Sequence, residues 1–420
     1  MATLTKLEIT EVGARGDGIA MTDAGPAYVP FTVVGDVIET HLQPEGKDAF
    51  KGDVEKLITA GPSRRDAPCP YFGRCGGCGL QHMTPEAYTQ WVKDRAVLAL
   101  QQQGLPAPEI SDPIISPEGS RRRLGLKALK VESGLLLGFH GRASHHLVDI
   151  ETCLVARPEL VALFPAFRKL LDGVLRQGQG AELRLTLTDS GVDALLSLPG
   201  KPGRALRDML SEFGKANDLA ALSINVDGVE ELVLQTRPPM VHFGEVPVPL
   251  YPGAFLQATA EGEAVLVDAV LQGLGKAKKV IDLFSGLGTF TFPIAKKAQV
   301  LAVEGSMPAI DAMKTAFSAV RGYRQITTEH RDLFRRPMGP QEMAKYDAIV
   351  LDPPRAGAKA VVENIARTKV PVVVSVSCNP NTFARDAKIL IKGGYTLESI
   401  QPVGQFLYSH HVELVAVFRK

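Results

Sequence analysis

A chain of 420 residues, 45% hydrophobic and 22% charged, has room for two or three domains with separate cores and is too apolar to be disordered throughout. Its net charge of +1 excludes a strong global field, so a polyanion would have to be gripped by local basic patches. No apolar run reaches the roughly 18–20 residues that span a bilayer, and the opening MATLTKLEIT lacks the basic-then-apolar layout of a secretory leader, so the expectation is a cytoplasmic protein without membrane contact.

Residues 1–58 read as short strands. Leu7 and Ile9 alternate with polar neighbours, as do Ala27, Val29 and Phe31, and glycine-bearing turns separate the runs. That pattern predicts a small, OB-like β-barrel, closed by a linker at Gly61-Pro62-Ser63.

Residues 60–245 are predicted to form a central α+β domain, with a helix over Pro85–Gln103 and strands over Leu135–Phe139 and Glu182–Thr188. Its first feature is a thiol cluster. The chain has five cysteines, an odd number, in a protein expected to lie in a reducing compartment. They divide into Cys69, Cys75, Cys78 and distant Cys153, with Cys378 alone near the end. Glycines at 73, 76, 77 and 79 would let the backbone wrap closely around an iron–sulfur cluster, and tetrahedral zinc fits the same spacing. The stretch Ser120–His146 carries Arg121, Arg122, Arg123, Lys127, Lys130 and Arg142 against Glu132 alone, which suits contact with RNA phosphates.

In residues 246–420 strands and helices alternate. The runs Val280–Phe284, Val300–Val303, Ala348–Leu351 and Val370–Val376 are continuously apolar, as strands buried on both faces are, and Val412–Phe418 would be the last strand. The expectation is a doubly wound, Rossmann-like α/β domain. After its first strand comes Asp282-Leu283-Phe284-Ser285-Gly286-Leu287-Gly288-Thr289-Phe290, a glycine turn, and the second strand ends at Glu304, an acidic group placed to accept ribose hydroxyls. Without a third glycine or a P-loop lysine, NAD and ATP fit poorly, and S-adenosylmethionine fits best. Asp332, after the third strand, is a candidate for the adenine amino group.

After the fourth strand, Asp352-Pro353-Pro354-Arg355 forms a stiff loop that would present Asp352 to the cleft, and Cys378 closes the fifth strand beside it. A cysteine there suits the methylation of uracil at carbon 5, which is too weak a nucleophile unaided. A thiolate added to carbon 6 turns the ring into an enolate whose carbon 5 is reactive. A base must then remove the carbon 5 proton, and Glu413, at the start of the last strand, is the candidate.

Taken together, Asp282–Phe290, Asp352-Pro353-Pro354-Arg355, Ser377-Cys378-Asn379-Pro380 and His411-x-Glu413 resemble the RNA 5-methyluridine methyltransferases over nearly the whole chain. The resemblance implies a TRAM domain at the N-terminus and a 4Fe-4S cluster on Cys69, Cys75, Cys78 and Cys153. It also implies a class I methyltransferase domain that holds S-adenosylmethionine with Gln257, Phe284, Thr289, Glu304, Asp332 and Asp352. Cys378 falls at the family's nucleophile and Glu413 at its base. The layout is most like the bacterial 23S ribosomal RNA enzymes, with transfer RNA as the alternative substrate, and a monomer is expected. Before the base the family reads D-x-F-P-x-T-x-H-x-E, whereas this chain has Gly404, Leu407 and Ser409 at the Asp, Pro and Thr positions. A catalytically silent iron–sulfur RNA-binding protein would keep the barrel and the cysteines but has no use for Cys378 and Glu413.

Overall fold

In the computed structural model, which describes residues 4–420, the N-terminal alternation becomes two small sheets. One joins Leu4–Glu8, Val37–His41 and Lys56–Thr59; the other joins Glu11–Val12, Gly18–Thr22, Gly25–Val29, Ala49–Lys51 and Gln43–Glu45. Leu7, Ile9, Ala20, Ala27, Val29 and Ile38 fill the space between them. Buried Asp36 staples the linker to this unit, accepting from the backbone of Val33 (2.7 Å) and Gly61 (2.9 Å) and from Arg64 Nε (2.9 Å).

The middle of the chain forms a seven-stranded sheet in the order Leu147–Asp149, Gly134–His140, Arg123–Val131, Gly180–Thr188, Gly191–Ser197, Ala221–Val226, Val229–Gln235. Neighbours are antiparallel except Gly191–Ser197 with Ala221–Val226. Period-two alternation sends Leu124, Leu126, Ala128, Leu183 and Leu185 into a core shared with the helices Phe164–Val174 and Arg204–Ala216.

A nine-stranded sheet holds the rest. Its order runs Ile114–Ile115, Thr396–Gly404, Glu413–Arg419, Val372–Ser377, Ala348–Leu351, Lys279–Leu283, Gln299–Glu304, Ile326–His330, with Glu109–Ile110 also on Thr396–Gly404. The five strands from Val372–Ser377 to Ile326–His330 are parallel, and Glu413–Arg419 is antiparallel to both neighbours. Apolar clusters cover both faces, which is why these strands are continuously apolar.

Two segments cross the spans read from the sequence. The helix Pro85–Gln102 starts at Thr84, whose hydroxyl accepts from Ala87 N (3.3 Å), and packs Trp91, Val92, Ala96 and Leu100 into the same core as Ile281, Leu283 and Val373. With the strands at 109–115 it belongs in space to the C-terminal sheet, although it lies inside residues 60–245. The hairpin of Met240–Phe243 and Val246–Pro249 straddles position 245 and packs on the helix Met307–Ala319. Among the described residues no helix is long and apolar enough to cross a membrane.

Candidate active site

The carboxyl ends of the parallel strands face the seven-stranded sheet across a cleft of about 760 Å³. Gln257, Phe284, Thr289, Glu304, Asp332, Asp352, Cys378 and Glu413 all line it. Residues scattered over more than a third of the chain thus meet in one place, as expected at the switch region of an open α/β sheet.

One half of the cleft is the glycine turn. The chain leaves Lys279–Leu283 through Phe284 at φ 63°, a conformation costly for a residue with a side chain. The turn is held there because the N–H groups of Phe284 and Ser285 both donate to Val303 O (3.0 and 3.2 Å). Gly288 has φ 97°, and a Cβ there would stand 2.6 Å from the Phe292 ring, so glycine is required on both counts. Glu304 is pinned by Gly286 N–H on one oxygen (2.9 Å) and Ser306 N–H on the other (2.8 Å). Asp332 accepts from Phe334 N (2.9 Å), and the half-exposed Phe334 ring lies 5.5 Å from that of Phe284. Two buried atoms of the turn, Asp282 Oδ1 and Ser285 Oγ, have no hydrogen-bond partner among the described residues. Burial, followed by the charges of Asp352 and Glu304, pushes the Asp282 carboxyl up to about 7. A glycine cradle, a fixed carboxylate, an aromatic pair and unpaired polar atoms fit a nucleoside-bearing ligand.

The other half carries the reactive groups. Asp352 N–H donates to Leu283 O (3.2 Å), which sets its loop against the glycine turn. Cys378 follows the strand Val372–Ser377 and precedes Asn379, the N-cap of the helix Pro380–Lys392. Asn379 Nδ2 and Thr382 Oγ1 both donate to Arg355 O (3.2 Å each), so the loops bearing Asp352 and Cys378 are tied together. Burial, then Glu413 and Asp352, pushes the Cys378 thiol up to about 11, with Arg355 opposing. The Glu413 carboxyl is raised by burial and by Asp352, while Gln405 and Arg355 favour its charged form. Asp352 is raised by burial, with the Gln257 hydrogen bond opposing. Two buried carboxyls this close do not both ionise readily near neutrality. His411 Nε2 accepts from Arg355 Nη2 (2.9 Å), and burial, His410 and Arg355 push that imidazole down to about 4. It is a neutral acceptor already in use.

The facing wall comes from the seven-stranded sheet. Arg123 lies over the Phe255 ring (4.9 Å) and donates to Leu256 O (2.7 Å), and Arg121 lies over Phe406 (5.6 Å). Burial, then Arg121 and Arg122, pushes Arg123 down to about 10. The Ser120–His146 stretch is not a row of free cations. Arg122 pairs with Glu263, Lys127 with Glu182, Lys130 with Asp172 and Arg142 with Asp17. Sequence shows the charges but not their partners, which lie 42 to 141 positions away.

Burial raises Cys75, Cys78 and Cys153, with Cys78 pushed up to about 12; Cys69 adds to all three, Cys75 to Cys78 and Cys153, and Cys153 to Cys78. The four thiols therefore sit within electrostatic reach of one another. Among the described residues no three Cys, His, Asp or Glu side chains are gathered tightly enough for a single metal ion. Gly76 N–H donates to His140 O (2.9 Å), and a Cβ on Gly76 would meet that oxygen at 2.8 Å. Sequence reasoning missed Gln405, which is 1% exposed and bonded to Gln257. Its only signal was a polar residue just after Gly404 where the strand Thr396–Gly404 is otherwise apolar near its end.

Residues 249–420 match the family described as tRNA (uracil-5-)-methyltransferase. Over 99% of its length the chain is 42% identical to an uncharacterized RNA methyltransferase of Brucella suis biovar 1, of which it covers 98%. It is 29% identical over 98% of its length to a 23S rRNA (uracil(1939)-C(5))-methyltransferase of Shewanella amazonensis, covering 95% of that protein. Among solved structures, the tRNA (uracil-54, C5)-methyltransferase of Pyrococcus abyssi bound to S-adenosyl-L-homocysteine superposes with a TM-score of 0.76 at 22% identity, over 98% of this chain and 99% of that one. At that identity the likeness concerns the fold.

Proposed function

The chain belongs with the RNA methyltransferases, and we propose that it is an S-adenosylmethionine-dependent RNA (uracil-C5)-methyltransferase that works through a covalent Cys378–uracil intermediate, with Glu413 as base, on a uridine of 23S rRNA. The observation that carries the reading is the convergence of Cys378, Glu413, Asp352 and the pinned Glu304 on one cleft.

Bound S-adenosylmethionine supplies an electrophilic methyl on a sulfonium. Gln257, Phe284, Thr289, Glu304, Asp332 and Asp352 would hold it, the fixed Glu304 carboxylate meeting ribose hydroxyls and the Phe284–Phe334 pair offering a flat face to the adenine. At rest the Cys378 thiol keeps its proton. Asp352, held above the ordinary carboxylate range, is the nearby acceptor for that proton, which leaves Glu413 free for the one on carbon 5. The thiolate adds to carbon 6 and the displaced electron pair moves onto the carbon 4 oxygen. Carbon 5 would then take the methyl as the methyl–sulfonium bond breaks and leaves a neutral thioether; Glu413 removes the carbon 5 proton, and the carbon 6–sulfur bond breaks to restore the thiolate. Arg355, beside both Cys378 and Glu413, balances their negative charge.

Cys69, Cys75, Cys78 and Cys153 are proposed to hold a 4Fe-4S cluster. Each thiolate of such a cluster binds a different iron, so the four need not converge on one point as a zinc site requires. The cost of ionising buried thiols close to one another, seen at Cys78 and Cys153, is what a cationic iron core would relieve. Residues 1–58, whose described part forms the two small sheets, are proposed as a TRAM domain that adds RNA surface to the central domain (60–245) and the methyltransferase domain (246–420). The enzyme is proposed to be a cytoplasmic monomer. Mass mapping of 5-methyluridine in RNA from a deletion strain tests the substrate: the methyl should vanish from 23S rRNA, and its loss from transfer RNA alone would reverse the assignment. Anaerobic protein should carry iron and sulfide at about four each, and stoichiometric zinc without iron would reject the cluster.

A further inference from the structure

Between the base and the cofactor-side carboxylate runs a line of amides whose direction is fixed by one backbone group. Ala258 N–H donates to Gln405 Oε1 (3.0 Å), and a peptide N–H has no other role to play there. Gln405 must therefore turn its Nε2 outward, and that atom donates to Gln257 Oε1 (2.8 Å). Gln257 is thereby left with its own Nε2 facing Asp352, to which it donates at 3.3 Å. The reverse orientation of either amide would set oxygen against oxygen. Gln405 Nε2 carries a second hydrogen, and that one faces the buried Glu413 carboxyl, which is paired in the sheet with Val403, two residues before Gln405. Room for this side chain exists because Gly262, in the first turn of the helix Ala260–Leu274, lacks a side chain; a Cβ there would stand 2.6 Å from Gln405 Cβ.

We propose that Gln405 is a positioning residue of the methyl-transfer reaction: its Nε2 group dictates which end of the Gln257 amide meets Asp352 and, through its second hydrogen, holds the Glu413 carboxyl. It touches neither substrate nor cofactor in this account, and it rests on the reading of Glu413 as the base. One residue thus ties the proton-removing group to the cofactor-binding side of the cleft, so the two halves are set together. The charged and titratable groups around Glu413 are Asp352 and Arg355 on one loop, Cys378 on the next, and His411 beside it. Behind Gln405, Glu263 is paired with Arg122, whose Nε donates to Gln257 O (3.1 Å), which closes the line from the back.

The test compares the full-length enzyme with Gln405→Leu and Gln405→Glu. The readouts are the dissociation constant of S-adenosylmethionine and the pH dependence of release of methylated RNA from the adduct. Glu413 acts as its carboxylate, so release quickens as pH rises through its pKa, and losing a donor to that carboxylate moves the acid limb upward. With Gln405→Leu the limb should rise by about one pH unit and the dissociation constant by about tenfold. The near-isosteric Gln405→Glu, which keeps the shape of the site should the leucine variant fold poorly, should move the limb further, because it adds a like charge. A residue that only packs would lower the melting temperature and slow every step, leaving the limb in place; that result overturns the proposal. Glu413→Gln is run alongside. If it releases methylated RNA at the wild-type rate, the base assignment falls; if it traps the adduct while both Gln405 variants keep the wild-type limb and affinity, the Gln405 proposal alone falls.

Discussion

The two halves of the cleft owe their shape to different parts of the chain. The cofactor half is local: the glycine turn between Leu283 and Phe290 is held by the next strand, through Val303 O and the Glu304 carboxylate. The base half hangs on the loop at 404–412, and that loop is held by residues 65–118. Tyr408, at φ 61°, accepts at its carbonyl from Gly79 N–H (2.8 Å) and Leu80 N–H (3.0 Å), next to Cys78. Its own N–H donates to Tyr88 Oη (3.1 Å), and its hydroxyl takes a bond from Arg65 (2.9 Å) and gives one to Glu118 (2.7 Å). A local turn keeps its geometry when distant packing changes, whereas a loop held by remote hydrogen bonds does not. Away from the Gln405–Gln257 line that joins the halves, binding of the methyl donor and removal of the proton should therefore be separable by mutation.

The largest break is at the nucleophile. Cys378→Ser should lower turnover by about 10⁴-fold or more while leaving donor affinity within about twofold, measured by steady-state kinetics and calorimetry. Equal loss of affinity would mean that Cys378 supports the pocket rather than the chemistry. Next comes Glu413→Gln, for which general-base loss predicts a fall of about 10²–10⁴-fold in turnover. Methyl should still reach the RNA once, so a denaturant-resistant band labelled from the donor should accumulate. In the wild-type enzyme, release should quicken with pH through a pKa above the ordinary glutamate value of about 4.3, because the carboxylate is the active form and burial holds it protonated to higher pH. A rate independent of pH from the ordinary glutamate value upward would contradict the raised carboxyl.

On the cofactor half, Glu304→Ala removes the charged partner of two backbone N–H groups, and donor affinity should weaken by about 10–100-fold, read by calorimetry. At saturating donor the release step should be unchanged, and a slower release would mean that the halves are not separable at this residue. The smallest effect is expected for Tyr408→Phe. It loses the hydroxyl's bonds to Arg65 and Glu118, about 1–2 kcal/mol, so the melting temperature should drop by a few degrees. Adduct release should slow while donor affinity stays at the wild-type value; the opposite pattern would reverse the assignment of the two halves.

The same contrast explains what could be read in advance. Glu304, Asp352 and Cys378 were legible because each closes a buried, apolar strand, and strand ends on a parallel sheet share one edge. The helix Pro85–Gln102 was legible as a helix, but its partner was not, because an apolar face does not name the surface it covers. Gln405 left almost no mark, since its role depends on a backbone N–H at Ala258 far back in the chain. The departures in the loop have structural grounds. Gly404 pairs with Ile115, and a Cβ on it would stand 2.5 Å from the Ile115 side chain, while Ser409 Oγ accepts from His411 N–H (3.2 Å). Phe406 and Glu413 still line the cleft.

The central claim is that Cys378 bonds to the uracil, and a substrate RNA carrying 5-fluorouridine tests it most directly. Fluorine cannot leave carbon 5 as a proton does, so the intermediate should stall after methyl transfer. Incubation with S-adenosylmethionine, proteolysis and mass spectrometry of the RNA-linked peptide should place the bond on Cys378, with no adduct from Cys378→Ser. A bond mapped to any other residue, or an adduct of equal yield from the serine variant, would contradict the account.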